Sequence, residues 1–484
     1  MSAPAPVPRP EAARPRRRWW VERLLRERVQ ANEPEPAPEP EAAPDRLPLV
    51  SLVTRVGATA LVSGASASQA TEMILRLGLA HGVRFQVDVT YTAVTVACTE
   101  ADGEGVPLNL FRTVPALDRD YARLAHLESV VDAVARGEQS VDRATQELIG
   151  WRSRAVVYRR WVTALVAFTQ GASITALLGG VPLEIGVAGL ATMLVHEVTA
   201  RLARTNASYF YAQVVAGAIP MMLAIALMFL RSHGVTDLWA LSPSLVVAAG
   251  MVTMLAGLGV VGAAQDALDG YYITAAARIV DLVMRTGGLI LGVVAVLWLG
   301  VRLGVPAYLA PESIPPHHPA VQVASATIFA TAVGLFGRFG PRGALVAGLG
   351  GGLGWMVYLA LLPLVGGDYA VAAGGAAAVV AVFAHPVGRW MRLPAIAIVT
   401  VGIVPLMPGL ILYRGLFHLV VGMPAVEPGD TAGELFLLAA VTGVMLALGS
   451  SVGSTLGRYL AQPTEQLARL ALRASLRRGQ QGRT

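Results

Sequence analysis

From about residue 156 to residue 458 the chain is almost continuously apolar, interrupted every twenty residues or so by Pro, Gly or a charge. A hydrocarbon core ~30 Å thick is crossed by ~20 apolar residues in a helix. Lipid offers the backbone no hydrogen bonds, so such segments must satisfy their own polar groups as helices. Ten stretches fit: about 158–178, 183–203, 209–230, 243–264, 280–302, 320–337, 343–365, 369–391, 394–422 and 432–458. Composition agrees. Only 14% of the 484 residues are charged and 54% are hydrophobic, whereas soluble domains carry about 25% charge. A wholly soluble protein is excluded. The single cysteine, Cys98, excludes an intramolecular disulfide and any multi-cysteine metal site.

Two segments precede the apolar run. Residues 1–46 are rich in Pro, Ala, Glu and Arg and cannot bury enough apolar surface to offset their ordering entropy. Within them, 14–30 could form an amphipathic helix for an anionic membrane surface, or a solvated helix. Residues 47–155 have soluble character and read as a small α+β domain. Helical periodicity covers 47–64 and 66–82, each stopped by a glycine. Residues 83–90 and 92–98 read as strands. Residues 118–150 read as helix, with Leu124, Leu127, Val130, Val131 and Val134 as the buried stripe.

Arginine placement predicts orientation; the chain contains no lysine. With the α+β domain inside, the inner loops hold Arg201, Arg204, Arg338, Arg342, Arg389 and Arg392, and the basic tail 461–484 adds more. The outer loops hold Arg231, Arg302 and Arg414 among several acids, Glu184 included. Both termini are therefore expected in the cytoplasm.

The apolar region also repeats. Pro182 aligns with Pro341, and 187–190 with 346–349, at an offset of 159; 250–258 aligns with 402–410 at an offset of 152. The unit would be five spans, 156–303 and 318–460. Because five is odd, the halves would enter the membrane in opposite directions, as an inverted repeat with a site near the midplane.

Two places carry candidate chemistry. The ninth span, 395–417, contains Pro405, Pro408 and Gly409, followed by Tyr413 and Arg414. Each proline removes a backbone donor. A broken helix at membrane depth must face protein or water, and the half-helix starting near Gly409 could present N–H groups to an anion. A zwitterion needs donors for its carboxylate and acceptors for its ammonium; the break supplies both, and Arg414 could hold the carboxylate. The competing reading is a packing kink with Arg414 reaching the surface. The second place is 265–288, with Asp266, Asp269, Arg278, Asp281 and Arg285. It reads equally as a substrate or proton gate and as a salt-bridge cluster that sets topology.

Other patterns carry no chemistry. His196-Glu197 lacks the second histidine of a zinc-protease helix, and GLGGGLG (348–354) lies in an apolar span with no phosphate-loop Lys-Ser/Thr. Its glycines suit close helix packing. We expect no cofactor, no metal, no nucleic-acid partner and no enzymatic activity.

The chain resembles the threonine/serine exporter family of bacterial membrane proteins over nearly all of residues 47–460. The most specific matching segments are VDVTYTAVTV (87–96), NLFRTVPALDRDYARLAHLESVVDAVARG (109–137), GGVPLEIGVAGL (179–190), QDALDGYYITAAARIVDLVMRTGGLILGV (265–293) and IVPLMPGLILYRGL (403–416). The resemblance implies a cytoplasmic N-terminal domain, ten helices in two five-helix parts, and export of L-threonine and L-serine across the inner membrane, driven by the membrane potential or the proton gradient. It carries over no site residues. The expected partners are a small amino acid, protons and the lipid bilayer, with room for a homo-oligomer. The alternative is a membrane-anchored sensor whose soluble domain binds a ligand or partner.

Overall fold

The computed structural model describes residues 46–98, 108–114, 120–151, 158–205, 208–233, 242–252, 254, 257–305, 318–391, 393–421 and 431–481. The 14–30 segment lies outside these.

The chain first builds a helix-covered sheet. Helix α1 (Leu47–Val62) ends before Gly64, whose φ is +96°. Helix α2 (Ala67–Ala80) starts in a capping box: the Ser66 hydroxyl accepts from Gln69 N–H, and the Gln69 side chain accepts from Ser66 N–H. Strands β1 (Phe85–Val89), β2 (Ala93–Cys98) and β3 (Leu108–Thr113) form an antiparallel sheet in that order. Val87 pairs with Val96, and Val94 with Arg112. Helices α3 (Tyr121–Ala135) and α4 (Val141–Gly150) follow. Leu52, Val56, Ile74, Leu77, Val94, Val96, Leu124 and Leu127 close one core.

Two expectations change. Strand β3 is additional; it is half-buried, with Phe111 63% exposed, so its apolar alternation is weak. The helix expected over 118–150 is two helices, because Gly137 takes φ +73° and Ser140 caps a new start. The anticipated stripe belongs to α3 alone, and all five of its residues are buried.

The remaining helices are α5 (Arg160–Leu177), α6 (Pro182–Leu202), α7 (Tyr209–Ser232), α8 (Pro243–Val252), α9 (Gly257–Leu268), α10 (Tyr272–Arg302), α11 (Pro319–Phe336), α12 (Pro341–Leu361), α13 (Tyr369–Met391), α14 (Ala395–Gly402), α15 (Gly409–Val421) and α16 (Ala432–Gln481). Among the described residues, seven helical stretches are long and apolar enough to cross a membrane, from α6, α7, α10, α11, α12, α13 and α16. The pair α14 and α15, bent by 45°, makes an eighth if taken as one span.

Surface chemistry fits this. On α16 Leu437, Val441, Val444, Leu448 and Val452 are exposed at helical spacing, an apolar stripe suited to lipid. Exposed Trp161, Tyr209, Trp390 and Tyr459 lie near one end of the helices, and Trp298 and Tyr369 near the other, where aromatic rings favour the interface. Small residues allow close contact between helices. A Cβ on Gly348 or Gly352 of α12 would overlap Thr331 or Thr327 of α11, and one on Gly449 of α16 would overlap the Gly374 carbonyl of α13.

Helices α6 and α12 both begin at the aligned prolines, and both are 21 residues long. His196, near the end of α6, stacks edge-on against Phe336, just ahead of the start of α12. One helix therefore ends where the other begins. The sheet region seats at this same end. Tyr121 N–H donates to Gly337 C=O at 2.9 Å, and Asp120 pairs with Arg338 at 3.2 Å. Arg338 takes φ +57° to turn the chain there.

Candidate functional site

The break in the ninth apolar stretch is built by its prolines. Helix α14 stops at Gly402, and Val404–Leu406 form a single 3-10 turn with Pro405 inside it. Met407, ahead of Pro408, is extended at φ −68°, ψ 145°, the conformation that a following proline favours. Gly409 then opens α15, and its own N–H donates back to Met407 C=O at 2.7 Å. That donor is thus used within the turn.

Beside this break lies a cavity of about 340 Å3. Its walls come from both halves of the apolar region. Leu177 of α5 with Ser242, Ser244, Leu245 and Ala248 at the head of α8 form one side. Gln322 of α11, Trp355 and Tyr358 of α12, and Tyr369 of α13 form another. Leu410, Tyr413 and Arg414 of α15 complete it. Tyr158, just ahead of α5, bonds Phe339 C=O beside the sheet region, so Leu177 at the other end of α5 places the cavity at the far side.

Polar groups around the cavity are oriented. Trp355 Nε1–H donates to Gln322 Oε1 at 3.2 Å, and Tyr413 O–H donates to Ser244 C=O at 3.3 Å. The second bond ties α15 across to α8. Arg414 is half-buried, and no carboxylate pairs with it among the described residues. A guanidinium stays charged in proteins and forms strong paired bonds to carboxylates. Of the five residues expected at the break, Tyr413 and Arg414 line the cavity, whereas Pro405, Pro408 and Gly409 shape the chain beside it. Pro405 is buried against Gly351 of α12.

Sequence reasoning missed three contributors. Glu184 was placed among the outer loop charges, yet it is 2% exposed. Its two oxygens accept from Ser242 N–H (2.5 Å) and Val181 N–H (2.8 Å), fixing the α8 head that forms the cavity wall. A Pro followed two residues later by Glu at a helix start was the available signal. The second omission is that the fourth stretch is two helices, α8 and α9, and not one. Its alignment with the ninth stretch marked the spot, since Val252–Gly257 corresponds to Val404–Gly409 at the same offset. The third is the Gln322–Trp355 pair, which had no local signal.

The other candidate cluster sits at the opposite end, at the elbow between α9 and α10. Asp266 is fully buried; Oδ2 accepts from Arg278 Nε at 2.5 Å, and Oδ1 from Ala67 N–H at 3.2 Å. Ala67 is the first residue of α2, where a helix start favours negative charge. Asp281 accepts from Tyr91 O–H at 3.1 Å and pairs with Arg285 at 2.7 Å. Arg285 also donates to the Tyr209 hydroxyl and lies over its ring. Burial, then the Asp281 charge, pushes the Tyr91 phenol above its usual pKa, so it remains a donor. Tyr271 bonds Thr71, and Thr274 bonds the Val89 carbonyl. The structure therefore joins Asp266 to Arg278 and Asp281 to Arg285, leaves Asp269 exposed, and seats the sheet region on the elbow. Among the described residues no group of three or more His, Cys, Asp or Glu could hold a metal.

Residues 51–300 match a family model described as "Putative threonine/serine exporter", and 322–456 match one described as "Threonine/Serine exporter, ThrE". The chain is 29% identical over 385 residues to a protein of Mycobacterium tuberculosis named "Probable threonine/serine exporter", covering 78% of this chain and 69% of that one. It is 26% identical over 421 residues to the "Threonine/serine exporter" of Corynebacterium glutamicum, covering 86% of this chain and 83% of that one. No solved structure matches. With a family model covering more than half its length, this multi-pass membrane protein belongs to the threonine/serine exporter family, whose members are transporters and not enzymes.

Proposed function

We propose that the chain is a secondary exporter of small hydroxy amino acids, L-threonine and L-serine, driven by the proton motive force. The observation that carries this reading is the cavity at the meeting of two interrupted apolar stretches, with Arg414 in its wall and no carboxylate paired with it among the described residues. Paired interruptions in corresponding positions of two halves mark binding sites in transporters with inverted repeats. In this reading the ten apolar stretches are ten spans, α5 and the α8/α9 pair being the two short ones. Both termini and the sheet region lie in the cytoplasm, as arginine placement suggests.

The chemistry follows from the wall. Arg414 takes the substrate carboxylate as a bidentate pair. Ser244, Gln322 and Tyr358 offer oxygens for the ammonium and partners for the side-chain hydroxyl. The Trp355 ring limits side-chain size. The cavity lies away from the sheet region, so this form faces outward and the α9/α10 elbow is closed. Alternating access exposes the site at the elbow end, and protonation of a carboxylate there, Asp266 or Asp281, resets it. A membrane-anchored sensor would have no need of this cavity.

The test is flux of labelled threonine from proteoliposomes, with and without a pH gradient. Gradient-dependent flux that serine competes for is the expected result. Absence of amino-acid flux under both conditions overturns the reading. Pro408→Ala should lower flux several-fold in folded protein, because it relaxes the break that aims Tyr413 and Arg414.

A further inference from the structure

We propose that the outer groove between α5 and α6, at the end nearest the sheet region, binds the phosphate of an anionic phospholipid. The groove encloses about 600 Å3. Its upper part holds Arg159, Arg160 and Arg201 with one carboxylate, Glu197. Glu197 is shared: Arg160 pairs with it, and Arg201 pairs with it at 2.9 Å. One acid against three guanidinium groups leaves two positive charges, and Arg159 has no carboxylate partner among the described residues. The Arg160 and Arg201 side chains remain 59% and 62% exposed, so their remaining N–H groups are open to an anion from outside the helices.

The lower part is apolar. Ala164, Met193 and Leu194 form its floor, and Trp161, 61% exposed, stands at the boundary. Leu165 and Leu190 continue the apolar surface along the same two helices. A free phosphate would use only the arginines. A phospholipid uses both parts, phosphate against the guanidinium groups and acyl chains along the floor, with the indole at headgroup level. The groove shares no lining residue with the Arg414 cavity, so the assignment does not depend on what the protein transports.

The test uses the full chain in phosphatidylcholine nanodiscs containing a minor fraction of phosphatidylglycerol, with lipid retained after release into neutral detergent measured by native mass spectrometry. Phosphatidylglycerol should be retained in preference to phosphatidylcholine. Arg159→Gln with Arg201→Gln should weaken that preference about 25-fold, roughly fivefold per arginine near a membrane surface. Glycerol 3-phosphate at millimolar concentration should not displace the lipid. Equal retention of the two lipids, or an unchanged preference in a double variant with wild-type gel-filtration behaviour, overturns the proposal. Displacement by glycerol 3-phosphate overturns it too, since the groove would then serve a soluble anion. If the double variant fails to fold, Arg159→Gln alone, which removes a side chain with no acidic partner among the described residues, gives the same decision at fivefold.

Discussion

At the α9/α10 elbow two arginines face two aspartates at 2.5 and 2.7 Å, and the sheet region or α7 holds each of the four side chains again. At the cavity Arg414 faces hydroxyls, an amide and aromatic rings, and no carboxylate pairs with it among the described residues. The difference separates two uses of charge in an apolar protein. A paired and capped charge holds parts together, and removing one partner leaves the other stranded. An unpaired charge beside a cavity is open to a ligand carrying the opposite sign. The two regions should therefore respond to mutation differently: at the elbow stability falls together with pH-driven resetting, whereas at the cavity transport falls while stability stays.

The largest effect is expected at Asp266. Asp266→Asn strands Arg278, which is only 15% exposed. About 3 kcal/mol of stability should be lost, the low end for breaking a buried pair because Arg278 retains some access to water. Thermal unfolding of the purified protein measures it. Asp266→Leu with Arg278→Leu should recover most of the loss. Under the proposed mechanism pH-driven flux falls as well; if that flux stops while stability stays intact, Asp266 serves the gate alone and its pair with Arg278 is not a clasp.

Arg414→Ala should do the reverse. Threonine flux should fall roughly 10- to 100-fold, the range for losing a charge-assisted bond to a carboxylate, while the unfolding midpoint stays near wild type. Arg414→Lys should restore part of the flux, since the charge returns without the paired geometry. A large loss of stability in Arg414→Ala would put it in the same class as the elbow arginines and remove the contrast.

A third charged group sharpens the contrast through pH. Glu128 of α3 sits half-buried beside Asp132 and Glu72, both paired with Arg76. Burial, followed by the charge of Asp132, raises its pKa from the usual carboxylate range to about 7. A carboxyl with a raised folded pKa favours the folded state when protonated. Its contribution is full below the unfolded value and is lost as pH rises through about 7. Glu128→Gln should therefore be near neutral at pH 4 and should stabilise the protein at pH 8, by about 1–2 kcal/mol after allowance for solvent screening. Melting curves at the two pH values check it. Glu72 also reaches Arg458 of α16 at 3.8 Å, so a pH-dependent loosening here would act on the seat of the sheet region.

Local chemistry was readable in advance, and long-range pairing was not. Gly64 and Gly82 marked two helix stops, and Pro405 and Pro408 fixed a break wherever the helix packed. Their effects are set by backbone geometry within one turn. The role of Asp266 depended on Ala67, 199 residues away, and that of Glu184 on Ser242, 58 residues away. No periodicity encodes such partners. The apolar pattern also overcounted continuity: the fourth expected span is two helices, α8 and α9, and in the soluble part Gly137, at φ +73°, divided one expected helix, because helical periodicity continues smoothly across a glycine that the backbone uses to turn.

The smallest effect tests whether the clasp is distributed over many weak contacts. Tyr91→Phe removes only the hydroxyl that donates to Asp281 at 3.1 Å and leaves the ring near Arg278. Asp281 keeps its bond to Arg285, so no charge is stranded. About 1 kcal/mol should be lost, the net worth of one hydrogen bond to a charged group that retains another partner. Threonine flux should be unchanged. Hydrogen exchange should quicken in the turn between β1 and β2, whose neighbour Val89 is also bonded to Thr274, and should stay at wild-type rates at the Gly337–Tyr121 contact. Equal quickening at both places would mean that the sheet region lifts as one body, and that the elbow is then the anchor for both seats.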